Sequence, residues 1–203
     1  MDSAMPRFDK SPLCFKSSPS TTKGTEMAFT ESDIAKVTDW QSLVRVSHGM
    51  ALEKGWWDGG INARPIGDII NNFHAEVSEA WEQYRDGRIA TWYSDPNAVL
   101  EGRLPKPEGF YVELADLLIR IADATGAHRI SCDPSEIINQ GRSQTESRTI
   151  TFLHGRIVLQ YFGDIVDECF TFAVDNEHDL WATIREKLAY NATRPYRHGG
   201  KRA

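Results

Sequence analysis

The chain has 203 residues, 40% of them hydrophobic, with six tryptophans and a net charge of −6. That length suits one domain with a small appendage, and that apolar content supports a substantial core. The acidic balance argues against a general nucleic-acid binder but leaves room for a nucleotide held by a few cations. No apolar run approaches the roughly 18 residues needed to span a bilayer, so no membrane partner is expected. The three cysteines, Cys14, Cys132 and Cys169, are widely spaced and form no CxxC pair. A reducing, cytoplasmic compartment is therefore expected.

Residues 1–29 are rich in Ser, Thr, Lys and Pro and have little periodicity, which predicts a disordered tail without catalytic duty. An organelle transit peptide is the weaker alternative, because Asp2, Asp9 and Glu26 interrupt it and Arg is scarce. The remainder, 30–203, reads as one helical domain with inserts near 88–108 and 127–178. Its first helix is expected to begin at Thr30 or Ser32 as N-cap and to end near Lys54-Gly55. Ile34, Val37, Trp40, Leu43, Val44, Val46, Met50 and Leu52 supply its apolar face, with some drift in phase.

Trp56-Trp57-Asp58-Gly59-Gly60 is then a turn carrying two large aromatics, either a packing lid over the bundle or a surface for a nucleobase or a second subunit. Lys54 either reaches a phosphate or complements a helix dipole. The second helix is expected over about Ile66 to Arg85, opened by Pro65 and stopped at Asp86-Gly87. A long connection with Asp95-Pro96-Asn97, Gly102, Pro105 and Pro107 follows, either a binding loop or a solvated excursion. The third helix starts after Gly109-Phe110 and ends at Thr125-Gly126. After a polar stretch in which Asp133-Pro134-Ser135-Glu136 can cap a short helix, apolar residues from Phe152 to Ala173 recur at three- and four-residue intervals. That pattern predicts helix serving as core or dimer interface, with a strand at Thr149–Leu153 as the alternative at its start. His178-Asp179 suggests an HD-type phosphohydrolase, but no further His and Asp ligands follow in order. A last helix is expected from about Asp179 to Asn191. Gly199-Gly200-Lys201 lacks the spacing and context of a P-loop.

The chemistry-bearing stretch runs from Asn72 to Asp123. Glu76-Val77-Ser78-Glu79 and Glu113-Leu114-Ala115-Asp116 each place two carboxylates three residues apart. On a helix such residues share a face, with Cβ atoms about 5–6 Å apart. Isolated, each pair is most simply a solvated face. Both, however, lie among apolar and small residues, where an unpaired charge is costly. Packed antiparallel, the two helices bring four carboxylates to one spot, and such a group calls for a cation. Mg²⁺ fits, since it takes carboxylates together with substrate phosphates. Glu82 reads as a surface acid, and His74, about 160° around the helix from Glu76, as a core or supporting group. Arg120 is expected to hold Asp116 as an i, i+4 partner, and Asp123 lies on the same face. Near the C-terminus, Lys187, Asn191 and Arg194 suit a cluster of anionic oxygens. Equally, they suit a helix end before Pro195.

Four phrases in order resemble the MazG-like, all-α nucleoside triphosphate pyrophosphohydrolases. They are Lys54-Gly55-Trp56-Trp57, His74-Ala75-Glu76-Val77-Ser78-Glu79-Ala80, Glu113-Leu114-Ala115-Asp116-Leu117-Leu118-Ile119-Arg120, and Tyr190-Asn191-Ala192-Thr193-Arg194-Pro195-Tyr196-Arg197-His198-Gly199-Gly200-Lys201. The resemblance covers residues 40–125 and 183–202. The connection between Glu79 and Glu113 is longer than is usual for the family. The resemblance implies an all-α bundle of about four to five helices, assembled as a homodimer or homotetramer. It implies Mg²⁺, with Mn²⁺ as a substitute, held by Glu76, Glu79, Glu113 and Asp116, with Glu76 or Glu79 as the base. It implies a nucleoside triphosphate substrate, with Lys187, Asn191, Arg194, Lys54 and Trp57 as contacts. The contrasting expectation is a catalytically idle nucleotide- or protein-binding module on the same scaffold.

Overall fold

A computed structural model describes residues 29–95, 97–135 and 145–200. The expected tail up to residue 28, its Cys14 and the short helix expected from Glu136 lie outside these residues. The fold is all-α, with one two-stranded ladder. No helix among the described residues is long and apolar enough to cross a membrane.

The expected first helix is two helices, α1 (Glu31–Ala35) and α2 (Trp40–Glu53). Thr30 caps α1 through a reciprocal pair of hydrogen bonds with Asp33. The chain then restarts at Asp39, whose carboxylate accepts from the Ser42 N–H at 2.8 Å while the Ser42 hydroxyl receives the Asp39 N–H. This second capping box explains the drift in apolar phase, because two helices with separate phases lie in tandem. Phe29, read from sequence as the end of the tail, is half-buried against the core, its ring over Gly49 of α2.

α3 (Ile66–Arg85) and α4 (Phe110–Gly126) fall where the sequence puts them. The long connection between them is closed by β1 (Trp92–Tyr93) and β2 (Pro107–Glu108), paired antiparallel with Trp92 opposite Glu108. The Trp92 indole N–H donates to Gln83 of α3 at 3.0 Å, and the Arg88 guanidinium lies over its ring. Gly109 turns the chain out of the ladder at φ 129°, and a Cβ there would collide with the Ala90 carbonyl. The Phe110 N–H then donates to the Arg88 carbonyl at 3.0 Å, setting the start of α4 beside the end of α3. Glu76, midway along α3, meets Arg120, midway along α4. The two acidic helices therefore run antiparallel despite the long connection.

The apolar run from residue 149 to 173, including Thr149–Leu153, is helical apart from a break at Gln160-Tyr161 that divides it into α5 (Glu146–Leu159) and α6 (Phe162–Asp175). Gln160 adopts the left-handed conformation at φ 59°, and the Tyr161 N–H closes the end of α5 on the Arg156 carbonyl. A break carried by glutamine leaves no sequence signal, since that conformation is usually marked by glycine. Most of the apolar stripe is core, whereas Val158 and Tyr161 at the turn are exposed. α7 (Leu180–Thr193) is capped by the Asp179 carboxylate on the Ala182 N–H and is followed by one short turn, α8 (Arg197–Gly200). α4 is the axis, packing against α2, α3, α6 and α7, while α5 packs on α3 and α6. Eleven residues of α4 are buried, Glu113 among them, while Asp116 and Asp123 are half-buried.

Candidate metal centre

Glu76 of α3 and Glu113 and Asp116 of α4 each offer an oxygen within 4.8 Å of the others. Glu76 and Glu113 are each only 2% exposed, and Asp116 is half-buried. Their burial follows from the sequence: Glu76 sits between Phe73, Val77 and Ala80 on the inner face of α3, and Glu113 lies among Phe110, Leu114 and Leu117. Burial pushes the Glu76 carboxyl up to about 7; Arg120 opposes the rise, and Asp116 and Glu79 add to it. Burial likewise lifts Glu113 to about 8, helped by Asp116 and opposed by Lys187.

Two cations serve these acids. Arg120 pairs through its Nε with Glu76 rather than with Asp116. The i, i+4 expectation fails because Glu76 projects across from α3, while Asp116 is met from the other side by α7. There Lys187, 2% exposed, places its Nζ 2.9 Å from Asp116 and donates to the Pro107 carbonyl at 3.3 Å. Asp116 and Glu113 keep Lys187 charged against the effect of its burial. Glu79 stays outside the close group, on the exposed side of α3, within electrostatic reach of Glu76 and Glu113. Glu82 is exposed.

A cavity of about 250 Å³ adjoins the trio, with Asp116 and Arg120 in its wall. Its cations outnumber its acids: Lys54, Arg64 and Arg194 also line it, against Asp123, together with His198, Asn72 and Asn191. Three of the residues expected to contact substrate, Lys54, Asn191 and Arg194, therefore meet here, and Lys187 stands beside the trio. Lys54 also ties the end of α7, its Nζ donating to the carbonyls of Ala192 at 2.7 Å and Arg194 at 2.6 Å. It thus complements a helix C-terminus other than its own. Trp57 is buried behind the wall, its indole N–H donating to Asp123 at 2.8 Å, and Trp56 is the tryptophan in the wall itself.

Asp123, on the same face of α4 as Asp116, belongs to a separate cluster. His48 and Arg64 also bind it, at 2.9 and 3.2 Å. His74 pairs with His154 of α5, Nδ1 to Nδ1 at 2.9 Å, away from the trio's partners. His178 stacks on Tyr111 and contacts the Thr183 hydroxyl, and Asp179 caps α7, so neither serves HD chemistry. Ser47, Arg64 and Asn72 line the cavity without having been singled out from sequence. Ser47 had a legible signal, a polar residue in register with Leu43 and Met50 on the buried face of α2. Arg64 lies in a non-periodic turn and had none.

Three oxygen donors, two of them buried, fit a hard divalent cation: such an ion offsets the burial, and with it the mutual repulsion, that raises Glu76 and Glu113, and it matches the donor type. Comparison with family models, with curated proteins and with solved structures finds no significant match for this chain.

Proposed function

We propose that this protein hydrolyses nucleoside triphosphates to the monophosphate and pyrophosphate with Mg²⁺, as a MazG-like pyrophosphohydrolase serving the nucleotide pool. The observation that carries the reading is the acidic trio Glu76, Glu113 and Asp116, which meets a cavity lined by Lys54, Arg64, Arg120 and Arg194 through Asp116. Acids that call for a cation beside cations that call for an anion match a metal-bound polyphosphate. The segments of the family resemblance also converge on this one region, although residues from all over the chain separate them.

Glu76, Glu113 and Asp116 would hold the metal, with Glu79 adjacent. When bound there, Mg²⁺ supplies charge neutralisation and a water of lowered pKa. Glu79 is an exposed carboxylate within electrostatic reach of the group, and with Glu76 it is the candidate to take the proton from the attacking water. The water oxygen bonds to the α-phosphorus, and the bridging oxygen leaves with its electron pair as pyrophosphate. Lys54, Arg120 and Arg194 bind the phosphate oxygens and offset the charge that builds on the leaving group. Lys187 holds Asp116 in place. Assembly into a dimer or tetramer belongs to the same proposal, and a light-scattering mass of one chain would count against it.

A second reading has its own support. Arg120 and Lys187 already pair with two of the three acids, as they would in an idle nucleotide-binding module. Product analysis separates the two. The protein is incubated with each of the eight common (d)NTPs, with Mg²⁺ or with EDTA, and the products are resolved by ion exchange. Monophosphate plus pyrophosphate in Mg²⁺ alone is the expected result. Diphosphate plus orthophosphate would break the pyrophosphohydrolase assignment, and no product from any nucleotide would leave the idle module.

A further inference from the structure

The cavity beside the trio is lined by three residues that each carry a polar atom the fold buries without a hydrogen-bond partner: Ser47 (Oγ) on α2, Arg64 (Nε) in the turn before α3, and Asn191 (Oδ1) on α7. Ser47 and Arg64 are more than nine-tenths buried. An unmet buried polar atom costs about 1–3 kcal/mol. Three of them around one cavity, drawn from three separate elements, mark a place for a polar ligand. Arg64 is held firmly: its Nη1 donates to Asp123, and its guanidinium lies 4.7 Å from the centre of the Trp57 ring. Its orientation is fixed while its Nε–H remains unmet. Much of the remaining wall is apolar, formed by Met50, Ala51, Ile69, Phe73, Ile119 and Leu188. Apolar walls with a few placed polar groups are the usual make-up of a small-molecule site. The volume lies a little below the roughly 300–1,000 Å³ of sites for drug-sized ligands, which suits one ring system.

We propose that Ser47, Arg64 and Asn191 form the subsite that reads the base of a nucleoside polyphosphate whose phosphates lie at the trio. The inference rests on the hydrolase reading for the placing of the phosphates, but the base subsite stands on its own atoms. Arg64 Nε–H can only donate, so it requires an acceptor such as a ring nitrogen or carbonyl. Asn191 Oδ1 requires a donor such as a ring N–H or amino group. Ser47 serves either role. A nucleobase presents acceptor and donor side by side on one planar edge. Ionised inorganic polyphosphate presents acceptors alone, so it would leave Asn191 Oδ1 unmet and the apolar walls unfilled. The selected class is therefore nucleoside polyphosphates over inorganic polyphosphates.

The test is a calorimetric titration of the full chain, in EDTA, with each of the eight common nucleosides and deoxynucleosides. At least one should bind with a Kd below about 1 mM. Ser47→Ala, Asn191→Leu and Arg64→Lys, the last keeping a cation for Asp123, should each weaken it by about tenfold or more. Thermal melts confirm that each variant is folded. No nucleoside binding, or binding that none of the variants alters, would overturn the proposal and assign the three atoms to water. Nucleoside binding without triphosphate hydrolysis would overturn the hydrolase reading and leave the subsite standing. Hydrolysis of inorganic tripolyphosphate as fast as of any nucleoside triphosphate, without nucleoside binding, would do the reverse.

Discussion

α4 carries carboxylates in two very different settings. Asp123 receives three donors, from His48, Trp57 and Arg64, drawn from α2, the tryptophan turn and the segment before α3. Two turns earlier, Glu113 and Asp116 meet Glu76, and the three acids share Arg120 and Lys187. Asp123 is a strut that fastens the tryptophan turn to the bundle. The trio is short of positive charge: burial and crowding hold Glu76 near 7 and Glu113 near 8. A buried acid whose donors are all supplied stabilises a fold, whereas a set left short is stabilised by a cation from outside.

The largest expected effect falls on the under-supplied set. Glu76→Gln and Asp116→Asn should each lower Mg²⁺-dependent triphosphate turnover by at least about a hundredfold with far-UV circular dichroism unchanged. Activity within about tenfold of wild type would remove the trio from the site. For the strut the loss should be in stability. Asp123→Ala should cost about 3–5 kcal/mol in urea unfolding, because it strands buried Arg64. A variant as stable as wild type would erase the contrast. Glu113→Gln should have the opposite sign, making the metal-free protein more stable by about 1–3 kcal/mol near pH 8.5 and no more stable near pH 4.

The pH dependence sharpens the same contrast. Glu76 and Glu113 titrate above the ordinary 4.5 in the folded state. Between 4.5 and their folded values, the native protein binds more protons than the unfolded chain. Their contribution is therefore full below 4.5 and is lost as pH rises through about 7 and then about 8. Melting temperatures of the metal-free protein should fall across that window, and Mg²⁺ should restore them most at the alkaline end. The His74–His154 contact gives the smallest effect, with the reverse sign. Burial, with His74 beside it, lowers His154 below 6.5, so its contribution is present above 6.5 and lost on acidification. His154→Phe should flatten the acid side of the melting curve alone.

Much of this arrangement is legible in the residues, for identifiable reasons. Pro65 and Asp86-Gly87 bracket α3, and Gly109 with Thr125-Gly126 brackets α4, so the acidic pairs could be placed on their helices and facing each other. Residue type alone leaves Asn191, Arg194 and Lys54 open between anionic oxygens and helix ends, and it is the family resemblance that points them to a substrate. The breaks at Asp39 and Gln160 were hidden, one behind a capping box inside an apolar run, the other behind a left-handed glutamine. Arg120 was assigned to Asp116 because spacing along one helix says nothing of what the neighbouring helix presents. Glu79 and Glu76 look alike in sequence, but the rotation of α3 against α4 buries one and leaves the other exposed. Arg64 and the Trp56–Trp57 division of labour depend on a turn with no period, where only tertiary contacts decide which side chain faces the cavity.

The most direct measurement is a calorimetric Mg²⁺ titration of wild-type protein and of Glu113→Gln, run near pH 6.5 in two buffers of different ionisation enthalpy. If the trio awaits a divalent cation, wild type binds Mg²⁺ and releases between about one and two protons per ion, since Glu76 and Glu113 must both ionise. The release falls away by about pH 9, and Glu113→Gln binds at least about tenfold more weakly. Absence of Mg²⁺ binding, or binding without proton release that Glu113→Gln leaves intact, would contradict the account.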